Sequence, residues 1–510
     1  MAPRSSSASL GNAAAYAAVL AIALAFGALF DPDARAASGA PLDVFAGLAR
    51  SAGVPLKGLS FALGSNVCLD SIVQAAHVLG LPPDGPPPPA ADLPALASAD
   101  DVRAAFLHFF AAGAAAERSA AAPVLDGFVA AAQRAPSLRN SLGGNAALMA
   151  RRLAAVAPAA KAILLGGHVG PGAAALLPRA VTLASPAASA DEVHLILEYS
   201  RGETLAGVAA PRANRFIVTA DAANSDAAAM LATIAAADAL PGGVDSLTVA
   251  GLHMLEPLPA AARTRSLAAI AAALAARRVR APVHIELASC ADAGFVAELA
   301  RLLFPLAASV GFNEQEGAFL YEALGGAWGG GGGGDDMPSR GAVASATAPQ
   351  PVAVARLLRF LFEAFPDGGP SRLHFHSLAF HVVGYRKAAV GSTWRGTVGA
   401  VAAGSVAATT QACGLDSPKD ATAADALSLL APGSFSVADP RGGGGGGGGR
   451  TAALSSATPV ASWLWESAQG PLAFRLAPVA VCAAPRSTVG LGDAISATAL
   501  AADTTLLPAA

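Results

Sequence analysis

The residues best suited to chemistry lie near the C-terminus, in the stretch Ser487–Ser496, where small residues lead into a helix that carries one carboxylate. Gly490 and Gly492 have no Cβ, so the backbone can approach a phosphate closely and present N–H groups to it. The positive end of the helix dipole then faces the anion. Asp493 is placed to accept the proton of an attacking hydroxyl, so the stretch predicts a phosphoryl-transfer site with Asp493 as general base.

The same stretch has a second interpretation. A Gly-x-Gly-Asp sequence also forms an ordinary glycine turn, in which Asp493 caps the helix and does no chemistry. By itself the motif favours that structural role. The rest of the chain therefore has to supply the other parts of a phosphoryl-transfer site.

Composition and charge limit the classes of function. The chain has 510 residues, 54% of them hydrophobic and 14% charged, so it can bury a large core. Its formal net charge is -3 and its pI is about 6.3. These values give no footprint for nucleic acid or for an acidic membrane surface, so we expect no nucleic-acid partner.

Residues 1–37 are predicted to be a targeting segment. An apolar run from Ala13 to Phe30 is followed by Ala34-Arg35-Ala36, which is similar to a small-x-small cleavage site. We favour a cleaved signal peptide over an uncleaved signal anchor, although the run approaches the roughly 20 residues that cross a bilayer. The mature chain is then expected in the endoplasmic reticulum lumen or the secretory pathway, with membrane contact only through this segment.

The four cysteines are too few for a disulfide scaffold in a chain of this length. Cys68, Cys290, Cys413 and Cys482 also lack the C-x-x-C spacing of a metal site. One bridge could form in the secretory pathway, and Cys413 with Cys482 is the pair we name, because both flank the C-terminal catalytic region. Ordinary buried thiols are the alternative.

Alternating patterns predict an α/β fold. Strands at 247–252, 283–287 and 308–312 alternate with helices at 260–277 and 292–304. This alternation predicts parallel strands joined by crossover helices.

Polar residues near the N-terminal end of the domain could bind a ligand. A strand is predicted over 59–67 and a helix over 71–79, with Asn66 and Asp70 where the strand ends. Such positions bind ligands in open α/β sheets, although turn formation and capping are equally ordinary roles. The small residues at 143–145 open another helix and suit a backbone loop against a polar ligand.

Acidic residues follow two predicted strands of the middle region. Glu286 and Glu316 offer the oxygen ligands that Mg²⁺ prefers, usually through retained waters. One acid at a strand end is usually solvated or a cap. Two such acids, with Asp493 downstream, predict a Mg²⁺ site.

Three histidines, His374, His376 and His381, lie in a predicted strand over 373–381. Their spacing could suggest zinc, but no acidic or cysteine ligand is near them in sequence. We favour packing or contact with a nucleotide base. Separately, the proline-rich segment 82–89 and the glycine-rich segments 329–340 and 441–450 are predicted flexible insertions, since neither glycine run continues into the Lys-Ser/Thr of a P-loop.

Several segments add a resemblance to these inferences. Six of them follow one another along the chain: Pro211–Phe216, Gly251–Met254, His284–Ser289, Gly311–Glu316, His374–His376 and Thr488–Ser496. Together they resemble the ADP-dependent glucokinase family, particularly its eukaryotic branch. The resemblance runs from about residue 59 to residue 500, and the ordered set makes it specific.

The resemblance implies a ribokinase-like fold. In it, residues 38–510 form a large α/β domain with a central, mostly parallel sheet flanked by helices, plus a smaller α/β lid from inserted segments roughly within 85–215. It also implies transfer of the β-phosphate of ADP to the 6-hydroxyl of glucose, giving glucose 6-phosphate and AMP with Mg²⁺ assistance. We expect a monomer that binds ADP and glucose.

The resemblance also implies roles for individual residues. Asp493 matches the general base, and the anion hole is matched by Gly490, Leu491 and Gly492, with leucine where many ribokinase-like kinases have alanine. The Mg²⁺-associated acids are matched by Glu286 and Glu316, with Asp493 near the ion. The nucleotide region is matched by Arg215, His376 and Val489. The sugar pocket is matched by Asn66, Asp70, Glu117, Gly143, Gly144, Asn145 and His194.

Two other functions are compatible with parts of this pattern. The first is another sugar kinase of the same fold, either an ADP-dependent phosphofructokinase or an ATP-using enzyme. Glu117 would repel a sugar phosphate, which favours a neutral hexose as acceptor. Backbone amides bind the phosphates of ADP and ATP alike, so the choice between these two donors stays open. The second is a non-catalytic sugar- or nucleotide-binding protein, which would be expected to lack the base or the metal acids, yet Asp493, Glu286 and Glu316 are all present.

Overall fold

A computed structural model describes residues 41–504, except 54–55, 87, 94, 115, 212, 279–280, 330–336, 346–347, 367, 423–426, 440–449, 483–484 and 487–489. Val489, the segment 1–37 and most of the two glycine-rich insertions lie outside the described residues. Within the described part, none of the helices has both the length and the apolar character needed to span a bilayer.

The strands of the described residues are numbered in chain order. They are β1 Ser60–Gly64, β2 Cys68–Gln74, β3 Ala95–Leu96, β4 Ala116–Ala120, β5 Arg139–Gly143, β6 Ala162–Leu165, β7 Val181–Leu183, β8 Val193–Tyr199, β9 Thr204–Leu205, β10 Val208–Ala209, β11 Asn214–Thr219, β12 Ser246–Val249, β13 Val283–Glu286, β14 Ser309–Asn313, β15 Arg372–His376, β16 Phe380–Arg386, β17 Ser428–Leu429, β18 Ser434–Ser436, β19 Thr451–Ala453, β20 Ala461–Trp465, β21 Leu472–Pro478 and β22 Ala480–Val481.

The α-helices are numbered in the same way. They are α1 Pro41–Ser51, α2 Ala99–Ala112, α3 Ala122–Ala132, α4 Asn145–Val156, α5 Pro171–Leu176, α6 Ala228–Ala239, α7 Ala260–Ala276, α8 Ala293–Leu303, α9 Glu314–Ala323, α10 Arg340–Ala344, α11 Pro351–Ala364, α12 Val398–Cys413 and α13 Leu491–Asp503.

The larger sheet has ten strands, in the order β20-β21-β16-β15-β14-β13-β12-β1-β6-β7. From β15 to β7 every pair of neighbours is parallel, whereas β16, β21 and β20 add antiparallel strands at one edge. The predicted mostly parallel central sheet is therefore confirmed. Because parallel strands end at the same edge, the carboxyl ends of β1 and β12 to β15 lie together, where open α/β sheets bind ligands.

A second, mixed sheet has six strands in the order β3-β4-β11-β8-β2-β5. Its strands lie between residues 68 and 219, a stretch that also contributes β6 and β7 to the larger sheet. The second sheet has its own apolar core, in which Phe106 meets Tyr199 and Phe216 edge to face. The boundaries of a lid domain remain a prediction.

The helix predicted over 71–79 is wrong. The chain instead forms strand β2, followed by a single 3₁₀ turn at Ala75–His77. Strand β2 lies between β5 and β8, and Cys68 to Val73 are buried on both faces. A strand buried on both faces loses the alternation that distinguishes it from a helix in sequence.

The single strand predicted over 373–381 is also wrong, because the segment is a hairpin of β15 and β16. The turn lies between them, and Ser377 stabilises it by donating its hydroxyl to the Phe380 carbonyl at 2.8 Å. The segment contains no glycine or proline, so the sequence does not mark the turn strongly.

Helix α13 lies in the interior, with every residue except Gly492 buried. Its alanines present a small surface all round, which suits a helix enclosed by other elements. Ser496 and Asp503 follow Asp493 by three and ten residues, so all three side chains share one face of the helix. The polar residues at the N-terminal and C-terminal ends of α13 therefore lie on the same side of the helix.

The C-terminal end of α13 is held by a buried ion pair. Asp503 accepts from Arg372 Nε at 2.9 Å, from the Tyr385 hydroxyl at 2.7 Å and from the Gly396 N–H at 2.7 Å. Neither Arg372 nor Asp503 is exposed to solvent. Removing one member of such a pair leaves a buried charge without compensation.

We expect Asp503→Ala to lower the free energy of unfolding by about 3–5 kcal/mol, because it leaves Arg372 buried and unpaired. Urea unfolding of the variant measures this loss. The double substitution Arg372→Met with Asp503→Leu should recover much of it, and the exposed Asp126→Asn serves as control. A loss below about 1 kcal/mol in Asp503→Ala would contradict the proposed importance of the pair.

Candidate active site

The N-terminal end of α13 lines a cavity of about 780 Å³ at the carboxyl edge of the large sheet. Gly490 caps the helix with φ of 69°, a left-handed conformation that favours glycine. The predicted anion-hole residues Gly490, Leu491 and Gly492 all line the cavity. The first N–H groups of a helix have no partner within it, so this end of α13 can bind an anion.

Two side chains from neighbouring helices support the loop. Gln411 on α12 donates its amide to the Gly490 carbonyl at 3.3 Å. Arg152 on α4 in turn donates to the Gln411 side-chain oxygen at 2.8 Å and to the Ala407 carbonyl at 2.9 Å. The position of Gly490 is thus supported by contacts that do not involve a ligand.

Asp493, the predicted base, is 8% exposed and lines the cavity from the first turn of α13. Burial, reinforced by the negative charge of Glu286, raises the pKa of Asp493 to about 7. A carboxyl group with a pKa near neutrality is poised to take up a proton during reaction.

Asn145 lies at the start of α4 and lines the same cavity. Its side-chain amide donates to Asp493 Oδ1 at 2.9 Å, which by itself lowers the pKa of Asp493. The sequence placed Asn145 only in the sugar pocket. The structure adds a direct contact with the candidate base, which orients the carboxylate.

Glu286, at the end of β13, has both carboxylate oxygens occupied. Oε1 contacts His376 Nε2 at 2.8 Å, and Oε2 contacts His284 Nε2 at 2.8 Å and accepts from the Ser496 hydroxyl at 2.6 Å. Burial opposes ionisation, but these histidine contacts lower the pKa of Glu286 to about 2. Glu286 is therefore a fixed anion.

His376 lies between Glu286 and the N-terminal end of α13. Burial alone would lower the pKa of His376, but the contact with Glu286 raises it to about 9. A Cβ at Gly492 would lie 2.9 Å from His376 Cε1 and 3.1 Å from Nδ1, so only glycine lets the ring edge approach the first turn of α13 this closely. A positive imidazolium thus lies beside the N–H groups at the start of α13.

Sequence reasoning missed the acid beside His376, because the partner lies 90 residues away on a strand that is not even adjacent in the sheet. The other two histidines do not join this contact. His374 instead shares a hydrogen bond of 2.8 Å with His381, and His381 contacts the Ser405 hydroxyl at 3.0 Å. Both are buried, which fits packing.

Two further acids lie at the start of α9. Glu316 accepts from the Asn313 N–H at 2.9 Å and from the Asn313 amide at 2.8 Å, which forms a capping box. Burial raises the pKa of both Glu314 and Glu316 to about 7. Both acids line the cavity. The sequence interpretation selected Glu316 and missed Glu314, which is only 6% exposed.

The predicted sugar and nucleotide residues divide into two groups. Glu117 and Arg215, on the adjacent parallel strands β4 and β11, line the cavity with Asn145 and His376. The remaining described residues of the predicted sugar pocket, Asn66, Asp70, Gly143, Gly144 and His194, are not part of its lining and lie on and after β1, β2, β5 and β8. Glu117 lies between the two groups. Burial raises the pKa of Glu117, although its side chain opens into the cavity, and the charges of Asp70, His194 and Arg215 also change this pKa.

The cysteines are all described, and no disulfide joins any of them. The predicted pair, Cys413 and Cys482, is buried in one small apolar cluster with Leu491. The predicted bridge is absent from the structure, and the alternative of ordinary buried thiols agrees with it.

The cavity joins the ends of both sheets. Its lining combines acidic residues, the N-terminus of α13 and the His376 imidazolium with apolar residues such as Leu378, Ala408 and Val479. Polar side chains that the sequence did not single out complete the wall, namely Gln74, Glu198, Asn214 and Ser377.

Comparison with known proteins shows the family to which the chain belongs. The family described as "ADP-specific Phosphofructokinase/Glucokinase conserved region" matches residues 59–502. An ADP-dependent glucokinase of Bos taurus is 31% identical over 453 residues, which cover 86% of this chain and 83% of the bovine protein. A probable ADP-dependent glucokinase of Caenorhabditis elegans is 30% identical over 414 residues, 78% of this chain and 76% of the worm protein.

Solved structures share the fold at lower identity. A hypothetical ADP-dependent phosphofructokinase from Pyrococcus horikoshii superposes with a TM-score of 0.60 at 15% identity, covering 88% of this chain and 98% of the other. An ADP-dependent kinase solved with fructose-6-phosphate and ADPbetaS gives a TM-score of 0.57 at 16% identity, with 90% and 96% covered. By sequence the chain belongs to the ADP-specific phosphofructokinase/glucokinase family, in the eukaryotic ADP-dependent glucokinase branch.

Proposed function

We propose that the chain transfers the β-phosphate of ADP to the 6-hydroxyl of glucose, giving glucose 6-phosphate and AMP. The observation that carries the proposal is the position of Asp493, a carboxyl group with a pKa of about 7, on the first turn of a helix whose N–H groups open into the same cavity. The bovine relative is named an ADP-dependent glucokinase. Base and anion site together supply what phosphoryl transfer requires.

The residues that line the cavity have separate roles in this reaction. The N–H groups of Leu491 and Gly492, with the imidazolium of His376, receive the charge of the transferring phosphoryl group. Asp493, oriented by Asn145, takes the proton of the attacking hydroxyl. The apolar wall suits an adenine ring.

The acids of the cavity fit a divalent cation. Glu286, Glu314 and Glu316 are oxygen donors, and the negative charges of Glu286 and Glu314 each raise the pKa of Glu316, a repulsion that a cation would relieve. The oxygens of Glu286 and Glu316 are already hydrogen-bonded, so these residues would hold Mg²⁺ through its retained waters. Bound there, Mg²⁺ would neutralise charge on the phosphate oxygens.

The acceptor is proposed to be a neutral hexose. Glu117 projects into the cavity, where a carboxylate accepts hydroxyl hydrogens but repels a phosphate. We also propose that residues 1–37 direct the chain into the secretory pathway and that the protein is a monomer.

Glucose 6-phosphate formation by the purified chain tests the proposal, with Mg²⁺ and either ADP or ATP. Production of AMP from ADP and glucose is the expected result. Turnover with ATP alone would contradict the donor, and turnover with fructose 6-phosphate but not glucose would contradict the acceptor.

We expect Asp493→Asn to lower kcat by about 10²–10⁴-fold, because the amide keeps the shape of the side chain but cannot accept the proton. Steady-state kinetics measures kcat, and calorimetry should find ADP and glucose binding little changed. The exposed Asp126→Asn is the matched control. Near-normal turnover in Asp493→Asn would remove Asp493 from the role of base.

The pH dependence of kcat/KM reports the pKa values of the free enzyme. Since Asp493 must be ionised to act as base, we expect kcat/KM to fall about tenfold per pH unit below its pKa of about 7. The hydrogen bond from Asn145 lowers that pKa, so Asn145→Ala should shift the acid limb to higher pH. An unshifted or downward-shifted limb would argue against Asp493 as the titrating group.

We expect Glu314→Gln and Glu316→Gln each to raise the Mg²⁺ concentration needed for half-maximal activity, because each removes a negative oxygen donor. A Mg²⁺ titration of the initial rate measures the effect, about tenfold for each variant. The exposed Glu466→Gln is the control for loss of an acid elsewhere. Unchanged titrations in both variants would exclude these acids from the metal site.

A further inference from the structure

A second cluster of potential ligands lies in the six-stranded sheet, outside the lining of the main cavity. Cys68 and Asp70 are two residues apart on β2, so they face the same side of the sheet. His194 on β8 is the register partner of Asp70. The topology therefore brings a thiol, a carboxylate and an imidazole together.

The three ligand atoms nearly match the edges of a tetrahedral metal site. Cys68 Sγ lies 3.5 Å from Asp70 Oδ1 and 3.5 Å from His194 Nδ1, and the latter two atoms are 4.0 Å apart. Around zinc, ligand bond lengths of about 2.0–2.3 Å give edges of about 3.3–3.8 Å. Among the described residues, this is the one group of three or more such ligands within 4.8 Å of one another.

The orientation of His194 is an independent observation in favour of a metal. Its Nε2 contacts Asp221 Oδ1 at 2.8 Å, which leaves Nδ1 facing Cys68 and Asp70. Metal-bound histidines commonly donate their second N–H to a carboxylate in this way. Asp221 is itself fixed by Asn224 at 3.0 Å and has φ of 47°, an uncommon conformation for a residue with a side chain.

The surroundings make the cluster compact. Cys68 is 2% exposed and Asp70 is 6% exposed. Gly143 lies opposite Cys68 across the strand pair, and a Cβ there would collide with Asp70 Oδ1 and Cys68 Sγ.

We propose that Cys68, Asp70 and His194 form a binding site for Zn²⁺, with Asp221 as the carboxylate behind the histidine. A thiolate with an imidazole and a carboxylate selects zinc over Mg²⁺, which takes oxygen ligands. Three protein ligands leave a fourth position open. The site differs from the acidic residues proposed above to hold Mg²⁺.

Occupation of this site would inhibit the reaction if the proposed function holds. Asp70 and His194 are the residues expected to hold glucose, so Zn²⁺ and glucose would compete for them. Zn²⁺ should then raise the KM for glucose and leave kcat unchanged. This consequence rests on the proposed function, whereas the metal site itself does not.

Cobalt substitution tests the site without an activity measurement. The full chain, treated with a chelator and titrated with Co²⁺, is expected to gain a thiolate-to-cobalt charge-transfer band at one ion per chain, and Zn²⁺ but not Mg²⁺ should abolish it. Cys68→Ser should lose the band, whereas Cys290→Ser, a matched cysteine elsewhere, should keep it. Absence of the band in the wild-type chain, or its persistence in Cys68→Ser, would overturn the proposal.

Asp221→Asn tests whether Asp221 orients His194 for metal binding. It keeps all three ligands, so the band should remain while the affinity for Co²⁺ falls about 10–100-fold. Unchanged affinity would overturn the role of Asp221. Glucose should weaken the band if the sugar and the metal share residues. A band that glucose does not change would overturn the shared position but leave the zinc site. A band in a chain without kinase activity would count against the proposed function alone.

Discussion

The polar face of the buried helix α13 is the constraint on which the site depends. Asp493 faces the cavity, Ser496 donates to Glu286, and Asp503 is paired with Arg372. An alanine-rich helix inside the protein has few large side chains to fix its rotation or axial position, so these polar contacts do so. Their position on one face sets the distance between the candidate base and the sheet.

From that helix a chain of buried hydrogen bonds runs through the large sheet to the cavity. Arg372 donates to the Ser309 hydroxyl at 3.0 Å, which contacts His284 at 2.9 Å, and His284 contacts Glu286. Such a network rigidifies a site when its members are satisfied. The ionised Glu286 then holds His376 beside the first turn of α13, and the charge of Glu286 contributes to the raised pKa of Asp493. One carboxylate thus affects both the anion site and the base.

The predictions from sequence succeeded where local pattern matched the fold. The strand and helix alternation after residue 246 is confirmed, and so is the mostly parallel sheet, because crossover connections leave a periodic signal. The predictions failed for β2 and for the hairpin of β15 and β16. In both places burial on two faces removed the alternation of polar and apolar residues that marks a strand, so the sequence pattern did not distinguish strand from helix or reveal the turn.

The sequence by itself determined the family and the candidate residues of the cavity, because the glycine loop, Asp493 and the acids at strand ends are local features in a specific order. Only the tertiary structure decided which atoms meet. It brings Glu286 into contact with His376, Asn145 into a hydrogen bond with Asp493, and Cys68 beside His194. These contacts connect residues between 90 and 348 positions apart, and such pairs have no local signal, since their proximity arises from strand order and helix packing rather than from spacing in the chain.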